Sequence, residues 1–479
     1  MSARQWFEGE ILEWAKLSND PVQRLDYLHF TLQDRMQLVE ITLDPGDDPQ
    51  VIFEALNHRG VRLAAADLVK NLLFQTVDQQ GDGKRAESLL TDVWLPLDSK
   101  PWREEVTTGR IKRVLVDLLL AYWLTIQTEQ DVLVEHLFAD FKRWLLDNGV
   151  RAADVMVDIA HHAKTYLAMH ELPMDDPSRR LLDHMLATNT TTPWPLLLHL
   201  HADPEIPGEQ RNRAAAALEA FLVRREVCGL TTKDYNRLFV TVLAAARRSR
   251  AGTAGDRVVA TLVEQEAESR RWPDDTEFVA ALTGRGIYNR MVRARLRALL
   301  VAMENGLRSG GKTEPFQMLS RADQRLTVEH LLPQNWAKNW PVSPDGEPEA
   351  IERRNDAVHR LGNLTLTTTK LNSSLSNNAW AQKQSDIKRH SLLRLTIDSV
   401  LTPPAGLQGW SQEAWSADWD EDRIEIRGLY LAKVALELWP RPEANPVQDG
   451  HDTGVEQAGV PAPPRVDPTL PELARQVAS

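Results

Sequence analysis

A single cysteine, Cys228, stands in 479 residues. That excludes a disulfide within the chain and any zinc site built on several thiolates. No run of about 18 apolar residues occurs, so no membrane-spanning helix is expected. The N-terminal stretch M-S-A-R-Q-W-F-E-G-E lacks the basic-then-apolar order of a secretory leader, and the expected location is cytoplasmic. Basic residues are outnumbered, 56 Lys and Arg against 68 Asp and Glu, for a formal net charge of -12. A uniformly basic coat for nucleic acid is thereby excluded, and any such contact must be local. The hydrophobic share of 42% is ordinary for a globular protein.

What the chain does contain is a spaced set of polar residues between positions 329 and 372. It reads T-V-E-H-L-L-P-Q-N, then H-R-L-G-N-L-T-L-T-T-T-K-L-N-S-S-L-S-N. The first run predicts a short strand with Val328 toward a core and His330 near its end. The second, Leu361 to Thr369, alternates Leu364 and Leu366 with Thr, the period of a half-buried strand. From Ser374 to His390 the composition is helical. Strand, long loop, strand and helix is the layout of a ββα-metal finger.

Hydrolysis of a phosphodiester needs a deprotonated water and a cation that absorbs developing charge. Histidine suits the role of base, because its ordinary pKa of about 6.5 leaves it largely neutral at cellular pH. A hard cation such as Mg²⁺ (or Mn²⁺) takes oxygen ligands and keeps several waters. Glu329 offers a carboxylate and Asn372 a carboxamide oxygen, with the DNA phosphate supplying further ligands. Asn363 would hold the strand carrying His330, so that the ring stays aimed. Each residue alone has a bland reading: Glu-His pairs are common, and an Asn before a helix is usually an N-cap. Order, spacing and context together favour the site.

At these residues the chain resembles the HNH nuclease domain at the C-terminus of GmrSD-type restriction endonucleases. E-H-x-x-P, then G-N-L-T-L, then an Asn nine positions after the first carry the likeness. The resemblance implies His330 as general base, Glu329 and Asn372 as Mg²⁺ ligands, and Asn363 as the middle Asn of the H-N-N set. His359 fits the family's H-R-x-G-N-L wording without an assigned role. Other HNH enzymes usually carry Asp before the His, where this chain has Glu329. A second likeness lies upstream, where Phe53, Glu54, Asn57, Arg59, Gly60, Leu63, Asp67, Leu68 and Lys70 match F-E-x-x-N-x-R-G and L-x-x-x-D-L-x-K. The family's D-G-Q-Q-R, tied to nucleotide hydrolysis, is not found in this sequence. Residues 1–104 are therefore expected to be a remnant of the N-terminal domain; a late start or a split form would look the same, and no NTP hydrolysis is assigned.

The expected architecture is mainly α: a multi-helix body followed by a small α+β ββα-metal (HNH) nuclease domain. Boundaries are placed at 105–308 for the helical domain, 309–319 for a linker, 320–440 for the nuclease and 441–479 for a disordered tail. Gln37 to Leu43 predicts a strand, and residues 51–74 a helical hairpin with Asp67 and Lys70 toward solvent. The body is predicted to hold helices over Ile111 to Ile126, Asp131 to Leu146, Ala152 to Met169, Asn212 to Val227, Tyr235 to Arg248 and Tyr288 to Leu307, with Ile424 to Trp439 following the nuclease. Gly306 through Thr313 spells the P-loop formula, but a long helix precedes it where a P-loop needs a buried strand.

Between 351 and 390 seven basic residues face three acidic ones, a local excess suited to phosphate contacts. Lys383 is the leading candidate for DNA, with Lys370, Lys388 and Arg389 beside it; a solvated helix face is the bland alternative. The expected activity is Mg²⁺-dependent cleavage of DNA in bacterial restriction or anti-phage defence. The rivals are a catalytically silent DNA-binding or scaffold subunit and an RNA-cleaving toxin. Expected partners are DNA, and a homo-oligomer or separate sensor subunit.

Overall fold

The computed structural model describes residues 3–36, 64–108, 111–284, 286–309, 317–321, 323–342 and 348–443. The chain divides into Met1–Leu63 and Ala64–Ser479. In the first unit, helices Ala3–Lys16 and Pro21–Phe30 are described, the second capped by Asp20, whose side chain accepts from Gln23 N at 3.0 Å. The expected strand at 37–43, most of the hairpin with its matched positions Phe53 to Leu63, and the tail beyond 443 lie outside the described residues.

The second unit is mainly helical, with two small antiparallel sheets among the described residues. Helices Ala152–His170, Gly208–Val227 and Tyr235–Arg248 form where the three- and four-residue apolar spacing predicts them. The expected helix at Ile111 starts later. Ile111–Val114 is instead a strand, β2, paired with β1, Glu105–Thr108, and the helix runs Leu115–Thr128. Both strands are rich in β-branched residues, which lose χ1 freedom in a helix and fit a pleated edge. Asp67 and Lys70 also depart from the solvent-facing expectation. Half-buried on helix Ala65–Gln79, they join an ion-pair chain in which Lys70 meets Asp98 at 2.6 Å and Arg103 bridges Asp98 and Asp67.

The predicted helix over Tyr288–Leu307 is broken. Ile287–Arg290 forms one turn, Met291 is extended, and Arg293–Ser309 resumes. The break turns Tyr288 toward the second sheet. Gly306, the first residue of the P-loop formula, sits inside this helix, and a Cβ there would meet Leu438 at 2.6 Å. It serves close helix packing.

The second sheet pairs β3, Leu326–His330, with β4, Leu364–Thr368, so that Glu329 faces Thr365 and His330 faces Leu364. Leu361–Asn363, expected as strand, is a tight turn ahead of β4. β4 is not half-buried either: Thr365 and Thr367 are as buried as Leu364 and Leu366. Helices cover both faces, and the Thr365 hydroxyl meets that of Thr396 at 2.7 Å. After β4 the helix comes in two pieces, Thr369–Leu375 and Trp380–His390, with Ser376 in the left-handed region (φ 38°) between them. Two cores result. One large cluster runs through the body and includes Leu326, Leu364 and Leu366. A smaller one gathers Leu331, Leu332, Trp340, Leu371, Trp380, Ile387, Trp415, Trp419 and Ile424.

Candidate active site

Glu329 and His330 end β3, and Asn372 lies on the short helix that follows β4, within the helix rather than at its cap, which is Thr368. Their convergence follows from the register. Pairing Leu326 with Thr368 brings the start of helix Thr369–Leu375 beside the body of β3. Asn372 Nδ2 then donates to Thr327 Oγ1 at 3.0 Å and to Val328 O at 3.4 Å. This fixes the amide, leaving Oδ1, which accepts no hydrogen bond among the described residues, for a ligand. Glu329, His330 and Asn372 line one open cavity of about 310 Å³ with Pro333, Gln334, Asn335, Ser376 and Asn377.

Asn363 does not face that cavity. It is fully buried and staples the loop after β3: Nδ2 donates to Leu332 O (2.8 Å) and Val358 O (2.9 Å), and Oδ1 accepts from Leu332 N (2.7 Å) and the Trp419 indole (3.1 Å). Its place in the H-N-N set is therefore a positioning one, holding the end of β3 as the sequence suggests, and the buried side chain has no path to substrate. Beside it, Gly362 is needed for close approach. A Cβ there would fall 1.8 Å from Ile424 O on helix Glu421–Leu438. From that helix Arg427, fully buried, donates to Gly362 O (2.6 Å), Leu364 O (2.8 Å), Leu395 O (3.0 Å) and Ser399 Oγ (2.9 Å). Burial pulls its guanidinium down to about 9.

Lys383 is the clearest correction. Expected on the surface against DNA phosphate, it is fully buried, donating to Glu329 Oε1 at 2.8 Å and to His330 O at 2.7 Å. An ammonium locked between two site residues cannot reach a DNA backbone. Burial pushes the Glu329 carboxyl above its ordinary range, an effect that Lys383 opposes. Burial likewise lowers the Lys383 ammonium against the pull of Glu329. His330 is held down to about 3, first by burial and then by His359 and the cations Lys383 and Arg293. It is a neutral imidazole at physiological pH. Lys370, Lys388 and Arg389 are exposed, as a contact with DNA requires. Arg353 and Arg354 are instead engaged in ion pairs with Asp422 and Glu421.

The donor set suits a hard cation. A carboxylate and an oriented carboxamide oxygen line the open cavity, and oxygen donors of this kind are what such a cation takes. Among the described residues no group of three or more His, Cys, Asp or Glu could hold a metal ion.

Residues 272–434 match the family model described as GmrSD restriction endonucleases, C-terminal domain. This stretch belongs to the GmrSD restriction endonuclease family. No curated protein matches the chain. The GmrSD-type match begins at 272, upstream of the expected linker, and so takes in Tyr288 and helix Arg293–Ser309. A restriction-endonuclease role follows from it. No helix among the described residues is long and apolar enough to cross a membrane. Sequence reasoning passed over Arg427 and Trp419 as site supports. A signal existed for Arg427: with Gly428 it interrupts the apolar stripe formed by Ile424, Leu431 and Ala435.

Proposed function

We propose that this GmrSD-type domain cuts DNA phosphodiester bonds with His330 as general base and Glu329 and Asn372 as the ligands of a Mg²⁺ or Mn²⁺ ion, within a bacterial restriction or anti-phage defence that acts in the cytoplasm. The observation carrying this reading is that the three side chains line one open cavity although 42 positions separate His330 from Asn372. When bound, the ion would supply charge for the pentacovalent phosphate and the departing oxygen. His330 accepts the proton of the attacking water. Burial keeps its imidazole neutral, the form that can take a proton, and the negative charge of a substrate phosphate beside it favours that transfer. Lys383 opposes the upward push of burial on the Glu329 carboxyl and holds the β3 end through His330 O. Lys370, Lys388 and Arg389 contact the backbone, a role matched by their exposure.

The test is plasmid nicking by the full chain with Mg²⁺. His330→Ala and Asn372→Ala are each expected to lower the rate by about 10²-fold or more. Nicking at the wild-type rate by both would sink the reading. Cleavage of RNA but not DNA would move the substrate class and leave the centre in place.

A further inference from the structure

His330 sits against a residue from outside the strand–strand–helix motif. Its ring lies 4.3 Å, centroid to centroid, from that of Tyr288, with the planes at 74°. Aromatic pairs in edge-to-face contact usually keep centroids about 4.5–7 Å apart. A phenol edge set on an imidazole face belongs at the wider end of that range. The short distance fits the smaller ring pointing its edge at the larger ring's face. The two imidazole nitrogens are also distinguished. Nδ1 lies 3.4 Å from Gln334 Nε2, whose residue lines the cavity, whereas Nε2 is buried with no hydrogen-bond partner.

Resting on the nuclease reading above, we propose that Tyr288 is a positioning residue: its ring face receives the Nε2–H of His330. This fixes the tautomer in which Nδ1, on the cavity side, is the proton acceptor. A ring N–H set on an aromatic face is a weak but directional contact, and here it replaces the carbonyl or carboxylate that more often orients a catalytic imidazole. The platform is itself held. Tyr288 N donates to His359 O at 3.2 Å, the His359 ring stacks on Tyr288 with planes 11° apart, and the Arg293 guanidinium lies over the Tyr288 ring while bonding Tyr288 O. The phenol hydroxyl makes no hydrogen bond among the described residues, so the ring and not the hydroxyl is the working part. The broken helix before Arg293 thus has a purpose: it presents Tyr288 to the base.

The test combines rates with spectroscopy on the full chain. Histidine-selective ¹⁵N labelling reads the tautomer, with the His330 signals assigned by their loss in His330→Ala. The wild type and Tyr288→Phe are expected to hold Nε2–H. Tyr288→Leu is expected to show mixed tautomers, with kcat for nicking down about tenfold and KM unchanged. Phe at 288 should keep the rate within about twofold of wild type, since the face is retained. A wild-type His330 carrying its proton on Nδ1 overturns the proposal, whether or not the Leu variant folds. So does Tyr288→Leu with wild-type tautomer and rate, or Tyr288→Phe with a rate as low as that of Leu. An active His330→Ala would instead overturn the nuclease reading itself.

Discussion

From Leu115 to Met303 the interior of the helical body is built mainly from Leu, Val, Ala, Phe and Trp, packed at helical spacing. From Leu326 to Trp439 the interior holds Asn363, Thr365, Lys383 and Arg427 at its centre, each fully buried. Several buried charges of the body lie where the two meet, while Arg225 is held within the body by the carbonyls of Thr231, Ser269 and Arg271. Arg224 donates to Trp439 O at 2.7 Å, Glu219 accepts from the Trp439 indole and pairs with Arg321, and Glu304 caps the backbone at Leu395 at 2.6 Å. Apolar packing is non-directional and survives volume-conserving change, whereas a buried hydrogen-bond network fails when one partner is removed. The body is therefore a tolerant scaffold, and the site end a specified one.

Gly362→Ala should separate the two regions most sharply. A Cβ 1.8 Å from the Ile424 carbonyl forces helix Glu421–Leu438 off the turn that carries Asn363. A loss of about 4 kcal/mol or more is expected in urea unfolding, together with loss of nicking. Asn363→Ala comes next. It strands the Leu332 amide and carbonyl, the Val358 carbonyl and the Trp419 indole, for about 3 kcal/mol. Lys383→Met removes the ammonium that holds the Glu329 carboxyl down. The low-pH limb of the nicking rate should then move upward, with a stability loss of about 3 kcal/mol. An unmoved limb would break the link between this lysine and Glu329.

Protons sharpen the comparison differently. Burial lowers His330 and His184 to about 3, and His199 and His201 to about 4. Each folded-state value lies below the unfolded one of about 6.5, so the unfolded chain binds more protons in between. That stability is present above about pH 6.5 and is lost as the pH falls through the window toward 4 and 3. The urea midpoint should fall across this range, mostly through the body's three histidines. His330, already neutral, should leave no inflection near 6.5 in the nicking rate. The smallest effect is expected from Leu197→Met, fully buried in the body, at under about 1.5 kcal/mol. A cost equal to that of Asn363→Ala would erase the contrast between the regions.

The amino-acid order alone determined the helical character of the body, since burial of one helix face demands a repeat of three and four that is written locally. It also determined the two strands and the chemical types at Glu329, His330 and Asn372, because a short motif carries its own spacing. Which way side chains turned was decided only by the fold. Lys383 has the sequence signature of a solvated helix cation, yet strand pairing delivers Glu329 to it and closes water out. Arg427 has the sequence signature of a solvated helix cation until the turn at Gly362, some sixty positions earlier, closes over it. Tyr288 became part of the site only when a break in its helix met a strand end 42 positions later. Desolvation is the physical reason: a charge or amide costs little in water and much in a dry interior, and long-range packing alone decides which of the two surrounds it.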